Sequence, residues 1–268
     1  GNMMCVSRGG GANILSGKGR GGVEVALADN YEIRGNIIGL DATGSVPVGN
    51  DEFGVILAAN ASNNLLQGNV ISGNNGHGLN IGGSGTNNNN VLGNIIGLNP
   101  SQTTVVGNEG AGILINLQAA NNRIGGYDLA EQNIISGNKD QGVWLTSSGT
   151  TGQEVIGNKI GLDSTGDMAF PTGVGTLLHA RPSHTTAVNN EIAHNYNGGI
   201  IIGDSATLDQ TTGNLFQDNY VHHNGGTAVK MVLGNQLLTN NIANNHYNAV
   251  QIVGGELSQD EVWTTQGD

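Results

Sequence analysis

Three side chains suited to proton transfer fall close together in this chain: His179, Arg181 and His184, in the segment His-Ala-Arg-Pro-Ser-His. An imidazole gives or takes a proton near neutral pH, and a guanidinium neutralises a carboxylate. Together they suit abstraction of the C5 proton of a uronate sugar, where one group removes the proton and another offsets the acid's charge. They are the candidate catalytic residues. The competing reading is structural, because His179 aligns with the inward-facing Ile115 of another repeat and is then a corner or core histidine. Four more histidines gather later: His194, His222, His223 and His246. Adjacent residues of a strand point to opposite faces, so His222 and His223 are not expected to chelate together. His194 and His223 fall at the same place in successive repeats and read as a polar stack, so no metal is expected. Trp144 is the candidate carbohydrate-stacking residue.

What must position these groups is a repeat. The phrase Gly-Asn-x-Ile recurs, and its Asn gives a marker series: Asn36, Asn69, Asn94, Asn133, Asn158, Asn190, Asn219 and Asn240. A phrase used this often means one structural unit used again and again. Helix formers never cluster at helical spacing, while apolar residues sit in short runs of period two. A tetrad such as Gly112-Ile113-Leu114-Ile115 precedes each marker phrase. Its first and third apolar residues face one way. One inward column then reads Val23, Val55, Leu79, Ile113, Val143, Leu177, Ile200, Val229 and Val250. A second lies two residues after each marker, from Ile38 and Ile71 to Ile242.

The marker Asn is expected at a tight corner with left-handed backbone, its amide bonded to the coils above and below. A further Asn ladder is expected at Asn74, Asn138, Asn195, Asn224 and Asn245, with Asp41, Asn99 or Asp163 taking that place in longer coils. Those three coils carry surface excursions such as Gly-Leu-Asp-Ala-Thr-Gly. The outward side of the tetrads reads Glu24, Ile56, Asn80, Leu114, Trp144, Leu178, Ile201, Lys230 and Gln251, and the residue after each marker reads Ile37, Val70, Ile95 and Ile134, then Lys159, Glu191, Tyr220 and Asn241. An apolar stripe of this length lies under loops such as the Ala119 to Gln132 insertion, packs against a second copy, or stacks sugars. All three readings stay open, a homo-oligomer among them.

Short parallel strands with Gly and Asn at the corners describe an all-β chain, a parallel β-helix of about nine coils. It forms one domain over 1–268: an irregular segment or partial first coil over 1–21, coils over 22–253, and a C-terminal cap or tail over 254–268. The acidic tail with Trp263 is expected to cover the last open coil. The net charge of −12 disfavours nucleic acid, and no apolar run is long enough for membrane insertion. Cys5 is the single cysteine, which excludes an internal disulfide. The opening Gly-Asn-Met-Met reads as a trimmed end, so further coils and an export signal are expected upstream.

These coils resemble the right-handed parallel β-helix proteins of the pectate-lyase-like superfamily, above all bacterial secreted proteins whose coils repeat Gly-Asn-x-Ile-Gly-x-Asp-x-Thr-Gly. The match runs over about residues 13 to 253. The resemblance implies secretion or surface display, with polysaccharide as a partner. Alginate epimerases of this fold carry Tyr-Gly-(Phe/Ile)-Asp-Pro-His, which has no match here. Polygalacturonases use several Asp on adjacent coils, whereas Asp41 and Asp163 lie four coils apart, too far to share one glycosidic bond. Pectate lyases use an Arg base and Asp-bound calcium. The His179–His184 segment bears a faint likeness to their Arg-x-Pro-x-x-Arg pattern, without the clustered Asp. No cofactor is expected; calcium in a loop is allowed but nothing supports it. The expected function is a secreted or surface module that binds polysaccharide without catalysis, as part of a larger protein. The alternative is a uronate lyase, C5-epimerase or glycoside hydrolase.

Overall fold

A computed structural model describes residues 13–203 and 211–254; Cys5 and the tail with Trp263 lie outside them. The chain winds through three sheets in turn, and every strand pair within them is parallel. Sheet A holds nine two- to three-residue strands from Ile14–Leu15 to Asn241–Ala243. Sheet B holds nine longer ones from Gly21–Ala26 to Tyr247–Gly254. Sheet C holds eight three-residue strands from Glu32–Arg34 to Gln236–Leu238. This is a parallel β-helix of nine coils among the described residues.

The sequence columns map onto the interior. Val23, Val55, Leu79, Ile113 and Val143 stack in register along sheet B, and Ile38, Ile71, Ile96 and Ile135 along sheet A. A third inward column was not anticipated: Ile33, Leu66, Val91, Ile124, Val155, Ala187, Phe216 and Leu237 in sheet C. Its three-residue strands carry a single inward residue each, too short to show a period of two. One register expectation fails. Val143 pairs with Thr176 and Trp144 with Leu177, so Thr176 and Leu178 face inward and Leu177 outward. The tetrad there begins at Gly175, whose neighbour Thr176 fills an apolar column position and disguises the frame.

Asparagine joins the coils. The marker Asn residues form an unbroken chain in which each side-chain N–H donates to the next Oδ1, from Asn13 and Asn36 through Asn94 and Asn133 to Asn240. The left-handed residue is not the marker but, at every marker except Asn133, the one before it, with φ 64° at Gly35 and 62° at Gly93. That is why the phrase is Gly-Asn: glycine turns the chain, and Asn, facing in, satisfies the corner's backbone groups. The second ladder also differs from expectation. In long coils its place is taken after the excursion by Asn50, Asn108 and Thr172, not by Asp41, Asn99 or Asp163. A third ladder, Asn64, Asn89, Asn122 and Gln153, then Asn214 and Asn235, lines the corner before sheet C.

Candidate functional site

The outer face of sheet B follows from tetrad alternation. Its central row is Glu24, Ile56, Asn80, Leu114, Trp144, Leu177, Ile201, Lys230 and Gln251, in register from coil to coil. Ile56 and Leu114 are 1% and 7% exposed, so this face is closely packed. Over it runs a line of rings. Phe53 stacks on His77 with centroids 5.8 Å apart, and His77 meets Trp144 at 6.1 Å. His77 Nδ1 accepts the Ala111 backbone N–H at 2.8 Å. Burial holds the ring below the ordinary imidazole range, against the pull of Asp140. The neutral ring therefore carries its proton on Nε2 and offers a donor, not a base.

The same face concentrates unmet hydrogen bonding. Asn80 Oδ1, Asn116 Oδ1, Trp144 Nε1 and Gln141 Oε1 are buried without a partner, four of the six such atoms among the described residues. Asn80 and Asn116 point outward with Trp144, and Gln141 heads the Trp144 strand. Each orphaned buried group costs about 1–3 kcal/mol. Four of the six thus lie on one face without a partner from the chain itself.

The outer face of sheet A divides in two. Its first half is apolar and is covered by the excursions, which fold back as hairpins bridging Leu40 to Pro47, Leu98 to Val105 and Leu162 to Ala169. Phe170, Leu98 and Ile134 bury one another there, with Ile95 packed against them. The excursions supply this cover; the expected Ala119 to Gln132 insertion does not, since Arg123–Gly125 within it is a regular sheet C strand. The second half is polar. Lys159 Nζ lies 2.9 Å from Glu191 Oε2, and His222 Nε2 lies 3.2 Å from Glu191 Oε1. The hydrogen bond from His222 and the Lys159 charge hold the Glu191 carboxyl below its ordinary range, against burial. Tyr220 stacks on His222 at 3.9 Å.

Here a sequence expectation is overturned. His222 Nδ1 and His223 Nδ1 are 2.8 Å apart, so adjacent histidines do meet. The strand Tyr220–His222 ends at His222, and His223 turns left-handed at φ 52°, which swings its ring back beside its neighbour. His194 stacks on His223 at 5.2 Å, as the repeat implied. Burial, then the neighbouring His223 and His222, hold His194 below the ordinary imidazole range. His246 packs instead on Tyr247.

The predicted proton-transfer group is placed differently from expectation. Leu178, not His179, occupies the Ile115 column, and His179 ends the strand Val174–His179 in register with Thr146. The segment after it is not a departure from the repeat. Ala180 and Arg181 are left-handed at φ 61° and 72°, like Ala59 and Asn60 or Leu117 and Gln118 in other coils. His184, at φ 53°, takes the corner place of Asn63, Asn88 and Asn121. Arg181 is exposed, and its backbone N–H donates to Thr211 Oγ1 at 3.0 Å. The three candidate side chains thus sit at three different points of a recurrent corner. Asp41 and Asp163 cap their own excursions, accepting the backbone N–H groups of Ser45 and Val46 and of Gly166, Asp167 and Met168.

No protein-family model matches the sequence, and no curated protein matches it. Solved structures do. The fold is similar to that of a mutant of the periplasmic alginate epimerase AlgG, with a TM-score of 0.61 and 14% identity over 84% of this chain and 47% of that one. It is also similar to the mannuronan C-5 epimerase AlgE4 A-module of Azotobacter vinelandii, with a TM-score of 0.60 and 16% identity over 92% of this chain and 63% of that one. The chain thus spans about half to under two thirds of the structures it matches. At these identities the likeness establishes architecture: this is a right-handed, single-stranded parallel β-helix.

Proposed function

We propose that this chain binds polysaccharide along the outer face of sheet B and does not turn it over. The observation that carries the proposal is the Phe53, His77 and Trp144 line set among orphaned amide and indole groups. Aromatic faces stack on the apolar faces of sugar rings, and amides exchange hydrogen bonds with hydroxyls. Modest side-chain rotation turns the stranded Asn80, Asn116 and Gln141 oxygens toward such a ligand. The structural neighbours are enzymes named for alginate and mannuronan, which supports a polyuronate as the first partner to test. A binding segment of a larger exported or cell-surface protein fits that partner.

Against turnover stands the charge pattern. Glu24 and Lys230, the two charged members of the central row, are seven coils apart, about 34 Å at 4.8 Å per coil. An acid–base pair must reach one sugar. His77 Nδ1 is committed to its Ala111 hydrogen bond, which leaves the ring a donor at Nε2 and no base. The test is affinity electrophoresis through gels containing alginate, pectate or a neutral glucan. The wild type is expected to be retarded by at least one polymer, and Trp144→Ala to lose about tenfold or more of that affinity, the size of a lost aromatic stack and its buried area. Free migration in every gel, or retardation unchanged in Trp144→Ala, overturns the reading. Retardation lost instead in Arg181→Ala moves the site to the corner at His179 and His184.

A further inference from the structure

We propose that His194, His222 and His223 form a binding site for a divalent transition-metal ion, with zinc as the best match to the donors. Their ligand nitrogens all lie within 4.8 Å of one another, and no other such His, Cys, Asp or Glu group occurs among the described residues. Three imidazoles suit zinc, copper or nickel; calcium and magnesium demand oxygen donors.

Two independent features of the chain point to this site. The first is a break in the repeat. The left-handed place just before each second-ladder asparagine is Gly73 at φ 71° and Gly137 at φ 71° in earlier short coils. His194 at φ 60° and His223 at φ 52° occupy it in consecutive later coils. A side chain in that conformation carries a backbone cost that glycine avoids, and such costs collect at functional sites. The residue before it changes too: Ser72 and Ser136 in earlier coils donate to the carbonyls of Leu98 and Leu162 in the next coil, whereas His222 projects from the sheet between the small neighbours Ala193 and Ala243. The two Ala residues leave room for the imidazole.

The second feature is a supporting shell. His222 places Nε2 on Glu191 Oε1 at 3.2 Å, and Lys159 fixes the other carboxylate oxygen at 2.9 Å. A carboxylate holding the far nitrogen of an imidazole fixes its tautomer and aims the near nitrogen at the ion. Here that leaves the His222 Nδ1 lone pair directed at His223 Nδ1, 2.8 Å away. A tetrahedral ion with bonds of about 2.0–2.1 Å sets its nitrogens about 3.3 Å apart, so the pair opens slightly and His194 moves in. His223 is exposed, which gives the ion an entry path. The fourth position stays open to water or a ligand. Because His194 and His223 belong to consecutive coils, the ion also ties those coils together. The site lies on the sheet A side, away from the Trp144 row.

The test is titration of the purified chain with zinc chloride by calorimetry, and with cobalt chloride followed by visible d–d absorption. One equivalent is expected, with the cobalt spectrum of a four-coordinate nitrogen site. His194→Asn and His223→Asn are expected to abolish both signals while keeping the fold by circular dichroism, since Asn244 already holds this left-handed place in the next coil. Glu191→Gln keeps the ligands and is expected to weaken binding about tenfold. His246→Asn is expected to change nothing. Absence of saturable uptake in the wild type overturns the proposal, as does uptake undiminished in both His194→Asn and His223→Asn.

Discussion

Asn94 shows what one residue does in this molecule. Its side-chain N–H groups serve Asn133 Oδ1 and the carbonyls of Leu66 and Leu92, and its Oδ1 accepts from both nitrogens of Asn69. Asn94→Ala strands donors on one side and acceptors on the other, at about 1–3 kcal/mol for each group left buried and unpaired. A loss of about 3 kcal/mol or more is expected from denaturant unfolding. A cost below about 1 kcal/mol would show that the ladders only decorate the corners. The 38 Asn residues made this role legible, and the marker series was read from its spacing. The division of labour inside Gly-Asn was not, because Asn itself tolerates left-handed backbone and spacing alone does not say which residue turns.

At the scale of elements, the excursions are the informative parts. Asp41 is held below its ordinary range by the Val46 N–H and the Thr43 hydroxyl. For Asp163, burial pushes the carboxyl up, but the Thr165 hydroxyl and the Met168, Gly166 and Asp167 N–H groups together outweigh it. A carboxylate whose folded pKa is depressed contributes stability that is present above its unfolded value and is lost as pH falls through the folded one. The window therefore opens near 3.8 and runs downward. Local opening, read as amide exchange relative to the intrinsic rate at each pH, should rise on acidification in the hairpins that start at Asp41 and Asp163. It should not rise for the same reason in the hairpin capped by Asn99, which accepts from Thr103 and Thr104 N–H without titrating. Equal acid sensitivity in all three would contradict the capping role. The excursions were visible as insertions, but not their cover of Ile95 and Ile134, since contact between Phe170 and Ile134 depends on a fold-back that no local pattern encodes. The histidine cluster was missed for a related reason: alternation was extended to His223, one residue past the end of the strand.

At the scale of the molecule, the nine coils of the described residues contact their neighbours in sequence, so stability is close to a sum of coil and interface terms. Deleting residues 94–157, one long and one short coil, joins Gly93 to Asn158 and restores Gly-Asn-Lys-Ile in phase. The shortened chain is expected to fold, with a β-type circular dichroism spectrum and a longest dimension about 10 Å smaller by small-angle scattering. An unfolded product would mean that the coils are not interchangeable units. The deletion also removes Trp144, so polysaccharide binding should disappear with it. The rod was the most legible level in the sequence, because its apolar columns repeat over hundreds of residues. The binding face was less so: Trp144 stood out by type, whereas Phe53 and His77 join it only when adjacent coils come into register.

Proton spectra of a polyuronate in deuterium oxide, recorded with the wild type and with Trp144→Ala, test binding and turnover together. The account predicts broadened polymer resonances with the wild type, their recovery with Trp144→Ala, and a constant C5 proton integral throughout. Loss of the C5 signal, new alkene resonances, or broadening that survives Trp144→Ala would contradict it.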